Sequence, residues 1–173
     1  GNEVGRLCKS LGIDSHDVMN IFVKDTKLNL SPYYLRPGFA FGGSCLPKEV
    51  RAVGHLAETQ GVDLPLIQSL VATNDRHIEQ AVELLKPFKG KRIGFLGVTF
   101  KPATDDLRES PTLELMARLD TQGETIKAYD SNVRFNENLA GQVAYVRHAC
   151  PSQAQLIDRL EDLMMPRVDA LVA

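Results

Sequence analysis

The chain has 173 residues, of which 43% are hydrophobic and 24% are charged, and its formal net charge is −2. This composition is typical of a soluble globular protein with one large or two small domains. It excludes the strongly basic surfaces that bind nucleic acids and anionic membranes. No apolar run approaches the roughly 20 residues that a membrane-spanning helix needs. The 3 cysteines and 4 histidines lack the spacing of a disulfide framework or a metal site, so a reducing, cytoplasmic compartment is expected.

Residues 1–89 show mainly helical periodicity. Apolar residues recur at helical spacing from Val4 to Leu11 and stop at Gly12, and Asp14 is the predicted N-cap of the next helix. Because the chain opens within this amphipathic pattern and closes on the apolar run VDALVA, we expect it to be a piece of a longer protein.

An irregular loop and two further helices are predicted next. Residues 26–47 are rich in proline, glycine and aromatic residues, which predicts a long ordered loop. A helix is expected from Pro47 to about Gln60, and a long one over residues 64–85. The apolar stripe of the long helix suits either a subunit interface or a buried core, and the interface predicts a homodimer.

The pattern changes near residues 89–91, where we place the domain boundary. The predicted elements beyond it are a strand at 92–98, a helix at 110–123 capped by Ser110, strands at 126–130 and 143–146, a helix at 152–164 and a strand at 168–173. Alternating strands and helices indicate a parallel α/β sheet with right-handed connections. The predicted fold class is therefore a helical region over 1–89, followed by an incomplete α/β domain over 90–173.

The stretch GFAFGGSCLPKE (residues 38–49) is the most specific candidate site. Its glycines let the backbone approach a ligand closely. Cys45 precedes the predicted helix start at Pro47, and the positive end of a helix dipole together with Lys48 stabilises a thiolate. The sequence therefore indicates a nucleophilic cysteine, although a lone cysteine can equally be a small buried core residue.

The loop at residues 100–111, FKPATDDLRESP, follows the first predicted strand of the α/β region. Open α/β folds bind ligands at this position, and Lys101 and Arg108 are candidate phosphate contacts; solvated loop charges are the alternative. No GxGxxG follows the strand, so Asp130 is only a weak match to a ribose-binding acid. A dinucleotide is expected to bind elsewhere.

Together, the motifs at residues 38–49 and 97–111 resemble the UDP-glucose/GDP-mannose 6-dehydrogenase family, with similarity from Asn2 to about Val133. The resemblance implies a central helical dimerisation region and an incomplete Rossmann-like domain for the nucleotide sugar, without the NAD-binding domain of the family. It also implies a role in polysaccharide biosynthesis, with NAD as cofactor. The loop at residues 30–49 favours GDP-mannose as substrate.

The resemblance also implies a mechanism and a set of site residues. A cysteine holds the aldehyde as a thiohemiacetal between two hydride transfers, and the resulting thioester is hydrolysed to GDP-mannuronate. The matching catalytic residues are Cys45 and Glu49. The matching substrate-binding residues are Asn2, Tyr33, Tyr34, Arg36, Phe39, Gly42 and Lys101. The matching cofactor contacts are Lys48 and Arg108.

One departure from the family pattern concerns the acid after CLPK, which is normally aspartate and here is Glu49. Its extra methylene makes thioester hydrolysis less secure than aldehyde capture. The sequence leaves three alternatives open. They are a UDP-glucose or UDP-N-acetylhexosamine 6-dehydrogenase, a non-catalytic dimerisation or nucleotide-binding module, and a Rossmann-like regulatory domain with an incidental cysteine.

Overall fold

The chain packs into two compact units. Unit 1 is drawn from residues 1–39 and 48–73, and unit 2 from residues 40–47 and 74–173. The computed structural model describes residues 7–22, 24–29, 39–122, 124–133 and 155–173. The predicted domain boundary near residues 89–91 falls inside unit 2, where the long helix gives way to the sheet, and it stays a prediction.

The first part of the chain is helical, as predicted. The helices in order are α1 (residues 7–10), α2 (Ser15–Phe22), α3 (Thr26–Asn29), α4 (Leu46–Thr59) and α5 (Pro65–Leu85). Helix α3 lies in the stretch that was predicted to be irregular. A local contact favours this helix: the Asp25 carboxylate accepts a hydrogen bond from the Lys27 N–H (3.1 Å) and so caps its first turn.

Local residues also set the ends of α1, α2 and α4. Gly12 (φ 68°) and Gly61 (φ 64°) adopt the left-handed conformation and close α1 and α4. After Gly61 the Val62 N–H donates back to the Ala57 carbonyl at 2.9 Å, in a Schellman motif. Asp14 caps α2 through the His16 N–H at 2.8 Å, which confirms that predicted N-cap.

The described core of unit 1 is small. Its buried residues are Leu7, Ala57 and Leu64, with Val53, Val62 and Ile67 packed around them. They come from α1, from α4, from the connection between α4 and α5, and from the first turn of α5, so these segments are packed on one another.

Unit 2 contains a parallel sheet of four described strands, in the order β3-β2-β1-β4. These are β1 (Arg92–Leu96), β2 (Thr125–Tyr129), β3 (Gln155–Leu156) and β4 (Ala170–Val172). All three pairings are parallel, which confirms the predicted α/β class. Strand β1 is central and its interior residues are buried, as its continuous apolar run predicts.

Helix α6 (Pro111–Asp120) follows β1 and supplies much of the unit 2 core. Ser110 caps it, accepting a hydrogen bond from the Leu113 N–H at 3.4 Å, and Pro111 occupies its first turn, as predicted. The core packs α6 and the end of α5 on the sheet, through residues that include Ile78, Val82, Ile93, Phe95, Leu115, Met116, Leu119 and Ile126. None of the helices within the described ranges is long and apolar enough to cross a membrane.

The helix predicted at residues 152–164 is wrong over most of its described length. Gln155–Leu156 form β3, and only Leu160–Leu163 are helical, as the single turn α7. The apolar spacing of these residues suits either a helix or a strand. They form a strand because they pair with the open edge of β2, where the Ile157 N–H donates to the Ala128 carbonyl at 3.0 Å. The predicted strand at 143–146 and the predicted helix end at Gly123 lie outside the described residues.

Candidate functional site

Cys45 lies on a short irregular segment, residues 40–45, that we call the cysteine loop. The segment belongs to unit 2 and runs directly into the first turn of α4. Cys45 is exposed, and its sulfur lies 3.7 Å from the Ser44 hydroxyl oxygen. A thiol in this position is open to a ligand, whereas Cys8 is buried.

Two glycines bring the cysteine loop into contact with the segment between β1 and α6, residues 97–110, which we call the β1–α6 loop. A Cβ on Gly42 would overlap the carbonyl oxygen of Glu109 and lie 2.6 Å from Pro111 Cδ. Gly43 has φ 91°, a Cβ on it would lie 2.8 Å from the Phe100 ring, and its N–H donates to the Glu109 carbonyl at 3.3 Å. A side chain at either position would therefore push the two loops apart.

Helix α5 holds the cysteine loop from another direction. The Phe41 N–H donates to Asn74 Oδ1 at 2.7 Å, and Asn74 Nδ2 donates to the Phe41 carbonyl at 2.9 Å. One side-chain amide thus satisfies both backbone groups of Phe41. Ala40, the preceding residue, is buried in the unit 2 core.

The β1–α6 loop is fixed by two buried polar residues. Asp130, which follows β2, accepts hydrogen bonds through Oδ2 from the N–H groups of Val98 (2.8 Å) and Thr99 (3.2 Å). Ser110 donates through its hydroxyl to the Val98 carbonyl at 2.6 Å. Because Asp130 Oδ1 also accepts from the Asn132 N–H at 2.8 Å, both carboxylate oxygens hold backbone in place. Its described role is to hold the loop.

The β1–α6 loop presents two cations near the cysteine loop. Lys101 Nζ lies 5.2 Å from the centre of the Phe100 ring, the same ring that packs on Gly43. Arg108 makes a two-point ion pair with Asp106, with Nε to Oδ1 at 2.9 Å and Nη2 to Oδ2 at 2.8 Å. The structure therefore brings the predicted residues Gly42, Cys45, Lys101 and Arg108 into one part of unit 2.

The charges of this region influence one another. The hydrogen bonds and charge of Asp106 raise the pKa of Arg108, and the nearby Cys45 sulfur contributes in the same direction. In return, the hydrogen bond from Arg108 is the main reason that the pKa of Asp106 lies below its usual value. Arg108 is therefore held as a cation by its ion pair with Asp106.

Lys48 and Glu49 occupy the first turn of α4, and their side chains form an ion pair of 3.1 Å. Both are largely exposed, at 64% and 62% of the side-chain surface. Their mutual attraction is weak in water, so both groups remain accessible to a ligand or to solvent.

Of the other predicted site residues, the structure describes one and does not describe four. Phe39 is exposed, with 47% of its surface accessible. Four predicted substrate-binding residues lie outside the described residues: Asn2, Tyr33, Tyr34 and Arg36. Within the described ranges, no group of three or more His, Cys, Asp or Glu side chains is placed to hold a metal ion.

The residues that fix the site were not among those predicted from the sequence. Asn74 lies on the apolar side of the predicted long helix, where a polar amide is a sign of a specific partner. Phe100 carries no such sign, because an aromatic residue after a buried strand is expected in the core. Asp130 was considered only as a weak match to a ribose-binding acid, whereas the structure shows that it anchors the neighbouring loop.

Both the helical part and the sheet part of the chain match domains of one protein family. Residues 1–76 match the central domain of the UDP-glucose/GDP-mannose dehydrogenase family, and residues 94–173 match the UDP binding domain of the same family. The GDP-mannose 6-dehydrogenases of Pseudomonas putida and Pseudomonas aeruginosa are each 39% identical over 99% of this chain. The UDP-glucose 6-dehydrogenase of Haloferax volcanii is 35% identical over 75% of the chain and is covered over 30% of its own length.

Solved structures give the same result. A ternary complex of GDP-mannose dehydrogenase from Pseudomonas aeruginosa superposes with a TM-score of 0.86 at 38% identity, over 98% of this chain and 39% of that one. A UDP-glucose dehydrogenase from Pyrobaculum islandicum gives a TM-score of 0.68 at 28% identity, over 98% of this chain and 38% of that one. This chain spans 39% of the length of the Pseudomonas relatives. The chain belongs to the UDP-glucose/GDP-mannose dehydrogenase family.

Proposed function

We propose that this chain is the cysteine-bearing part of an NAD-dependent GDP-mannose 6-dehydrogenase, which oxidises GDP-mannose to GDP-mannuronate. The observation that carries the proposal is the exposed Cys45, on a loop packed against the β1–α6 loop, which bears Lys101 and Arg108 beyond the carboxyl end of β1. The GDP-mannose 6-dehydrogenases that are similar over 99% of this chain support the choice of substrate.

Substrate binding in this proposal depends on cations and on exposed backbone. A nucleotide sugar carries a diphosphate, which Lys101 attracts from the β1–α6 loop. Gly42 and Phe39 line the sugar-nucleotide side, together with the proposed contacts outside the described residues: Asn2, Tyr33, Tyr34 and Arg36.

Cys45 is the nucleophile of the second oxidation. Its sulfur adds to the carbonyl carbon of the aldehyde and forms a thiohemiacetal; loss of hydride from that carbon then gives a thioester. Hydrolysis breaks the carbon–sulfur bond, releases the carboxylate and returns the thiol. NAD, when bound, accepts the hydride in both oxidations.

Glu49 is the proposed base for thioester hydrolysis. Its carboxylate is open to solvent in the first turn of α4, so water can reach it. It carries one methylene more than the aspartate that is usual in the family. We therefore expect Glu49→Asp to retain or raise the hydrolysis rate, and Glu49→Gln to lower it while aldehyde capture continues, as followed by trapping the enzyme-bound thioester.

Lys48 and Arg108 are the proposed cofactor contacts. Both are cations with about two thirds of the side chain exposed, at 64% and 67%, which fits contact with an anionic dinucleotide. Strand β1 is followed by the sequence GVTF, without the glycine fingerprint of a dinucleotide site. Calorimetry should therefore show NAD binding to this chain weaker than about 1 mM; micromolar binding would contradict the assignment of residues 90–173.

The proposal is tested in the full-length protein that carries this chain. GDP-mannose should support the formation of two NADH per carboxylate, and Cys45→Ala should lower acid formation by roughly a thousandfold or more. Cys8→Ala is the matched control and should keep most of the activity, because Cys8 is a buried packing residue. Near-normal two-NADH turnover by Cys45→Ala would rule out the covalent mechanism.

The same assay separates the alternatives. Turnover of UDP-glucose or a UDP-N-acetylhexosamine in place of GDP-mannose would move the proposal to that substrate. The match of residues 94–173 to a UDP binding domain keeps these substrates in the test. No turnover of any of them, with slow alkylation of Cys45, would favour a non-catalytic binding module.

We also propose a homodimer formed through α5. The helix has large apolar side chains at the surface, including Leu66 (63% exposed), Val71 (41%) and Leu84 (76%). Such side chains along one helix are suited to a symmetric contact. Light scattering at micromolar concentration should give a dimer mass, and a monomer mass for the parent sequence would contradict the proposal.

A further inference from the structure

The amide of Asn74 holds the cysteine loop through two hydrogen bonds to a single residue, Phe41. The two residues are 33 positions apart in sequence, so the contact is part of the tertiary structure and not of a local turn. Two bonds from one planar group fix both the position and the orientation of the backbone at Phe41. The amide is partly buried, which limits competition from water.

The position of Cys45 depends on this contact because the cysteine loop has no regular secondary structure. Its described supports on the α5 side are the Asn74 amide and the burial of Ala40, and on the β1–α6 side the contacts of Gly42 and Gly43. Cys45 follows Gly43 by two residues, which span at most about 7 Å. A shift of the loop at Phe41 is therefore passed on to the thiol.

We propose that Asn74 is a positioning residue for Cys45. It acts through the Phe41 backbone and sets where the thiol stands relative to Lys101 and Arg108 of the β1–α6 loop. This inference rests on the proposed function, in which the Cys45 sulfur attacks an aldehyde. A misplacement of about 1 Å can lower a reaction rate about a hundredfold. We therefore expect loss of the amide to lower kcat strongly while the thermal midpoint of the protein falls only a little.

The test compares Asn74→Ala with Gln80→Ala in the full-length protein. Gln80 is an exposed amide on the same helix and controls for the loss of an amide from α5. Asn74→Ala should lower kcat for acid formation about tenfold to a hundredfold, with KM for NAD within twofold of the parent value. Its thermal midpoint should fall by only a few degrees. A lower midpoint with parental kcat would show a purely structural role and overturn the proposal.

Asn74→Asp provides a second variant of nearly the same shape. It keeps the acceptor for the Phe41 N–H but replaces the donor to the Phe41 carbonyl by an oxygen. We expect it to fold and to show a reduced kcat as well. Parental kcat in this variant would show that the donor does not position the loop, and would contradict the proposal.

Alkylation of Cys45 by iodoacetamide separates failure of this inference from failure of the proposed function. The alkylation rate does not require turnover, and Asn74→Ala should change it threefold or more while Gln80→Ala leaves it unchanged. If the parent oxidises no nucleotide sugar but this change occurs, the proposed function fails and the positioning contact stands. If the parent is active and Asn74→Ala matches it in both kcat and alkylation, the positioning role is wrong.

Discussion

The two compact units of this chain differ in the size of the apolar core that is described in each. In unit 2 the parallel sheet and α6 enclose large side chains such as Phe95 and Met116 completely. In unit 1 the described core is limited to Leu7, Ala57 and Leu64 with a few partly buried neighbours. Exposed apolar residues occur in both units, for example Ile21 (72%) in unit 1 and Met165 (72%) in unit 2. Because a larger core removes more apolar surface from water, we expect unit 2 to be the more stable.

Removing the largest side chain of the unit 2 core tests this difference most strongly. Phe95 is fully buried in β1, and Phe95→Ala should cost about 3–5 kcal/mol, because a cavity remains in a site that cannot collapse around it. Hydrogen–deuterium exchange should show faster exchange of the β1 and β2 amides. Leu160→Ala, at an exposed position (47%) in unit 2 away from the proposed α5 contact, is the control and should leave these amides protected.

A cavity in unit 1 should have a smaller effect. Leu64 is completely buried just before α5, and Leu64→Ala should cost about 2–3 kcal/mol, at the lower end for buried leucine, because its sparse surroundings can relax. The exchange of α4 amides reports this loss. A cost equal to that of Phe95→Ala would remove the distinction between the two cores.

The cap of α6 gives a finer test within unit 2. Ser110→Ala removes both the cap of α6 and the hydrogen bond to the Val98 carbonyl, and should cost about 1–2 kcal/mol. Ser69, whose exposed hydroxyl bonds to the Leu66 carbonyl, is the matched control, and Ser69→Ala should change stability very little. Chemical denaturation measures both. Equal losses would mean that the cap contributes nothing specific.

The smallest expected effect is a change with pH in the β1–α6 loop. Because Arg108 holds the pKa of Asp106 below its usual value, the stabilisation is present above about pH 4 and is lost as pH falls through the lowered value. Asp106→Asn and Arg108→Gln should each flatten the loss of loop protection that sets in below about pH 4, and the double variant should add nothing further. An additive double variant would show that the two residues act separately.

Features that are set by residues close in sequence could be predicted, whereas features that are set by contacts between distant segments could not. Gly12, Asp14, Gly61 and Ser110 act within a few residues of the helix ends that they set, so those ends were predicted correctly. Strand β3 was missed because its conformation depends on an edge of β2 that is remote in sequence.

The candidate site shows the same limit. The glycines and Cys45 could be recognised from their motif, but the Phe41 contact with Asn74 and the Gly43 contact with Phe100 join distant segments. No periodicity or spacing encodes such pairs, so the support of the loop becomes visible only in three dimensions. The assignment of roles to Cys45, Glu49, Lys48, Lys101 and Arg108 stays a prediction for the assays above.

The cysteine loop belongs to unit 2 although both of its flanking segments, residues 1–39 and 48–73, belong to unit 1. The change from helices to sheet near residue 90 is therefore a poor crossover point for recombination between relatives. A crossover there would join a cysteine loop from one parent to a β1–α6 loop from another, and the fit at Gly42 and Gly43 leaves no room for a side chain. Functional chimeras should be recovered mainly when residues 40–47 and 97–111 come from the same parent.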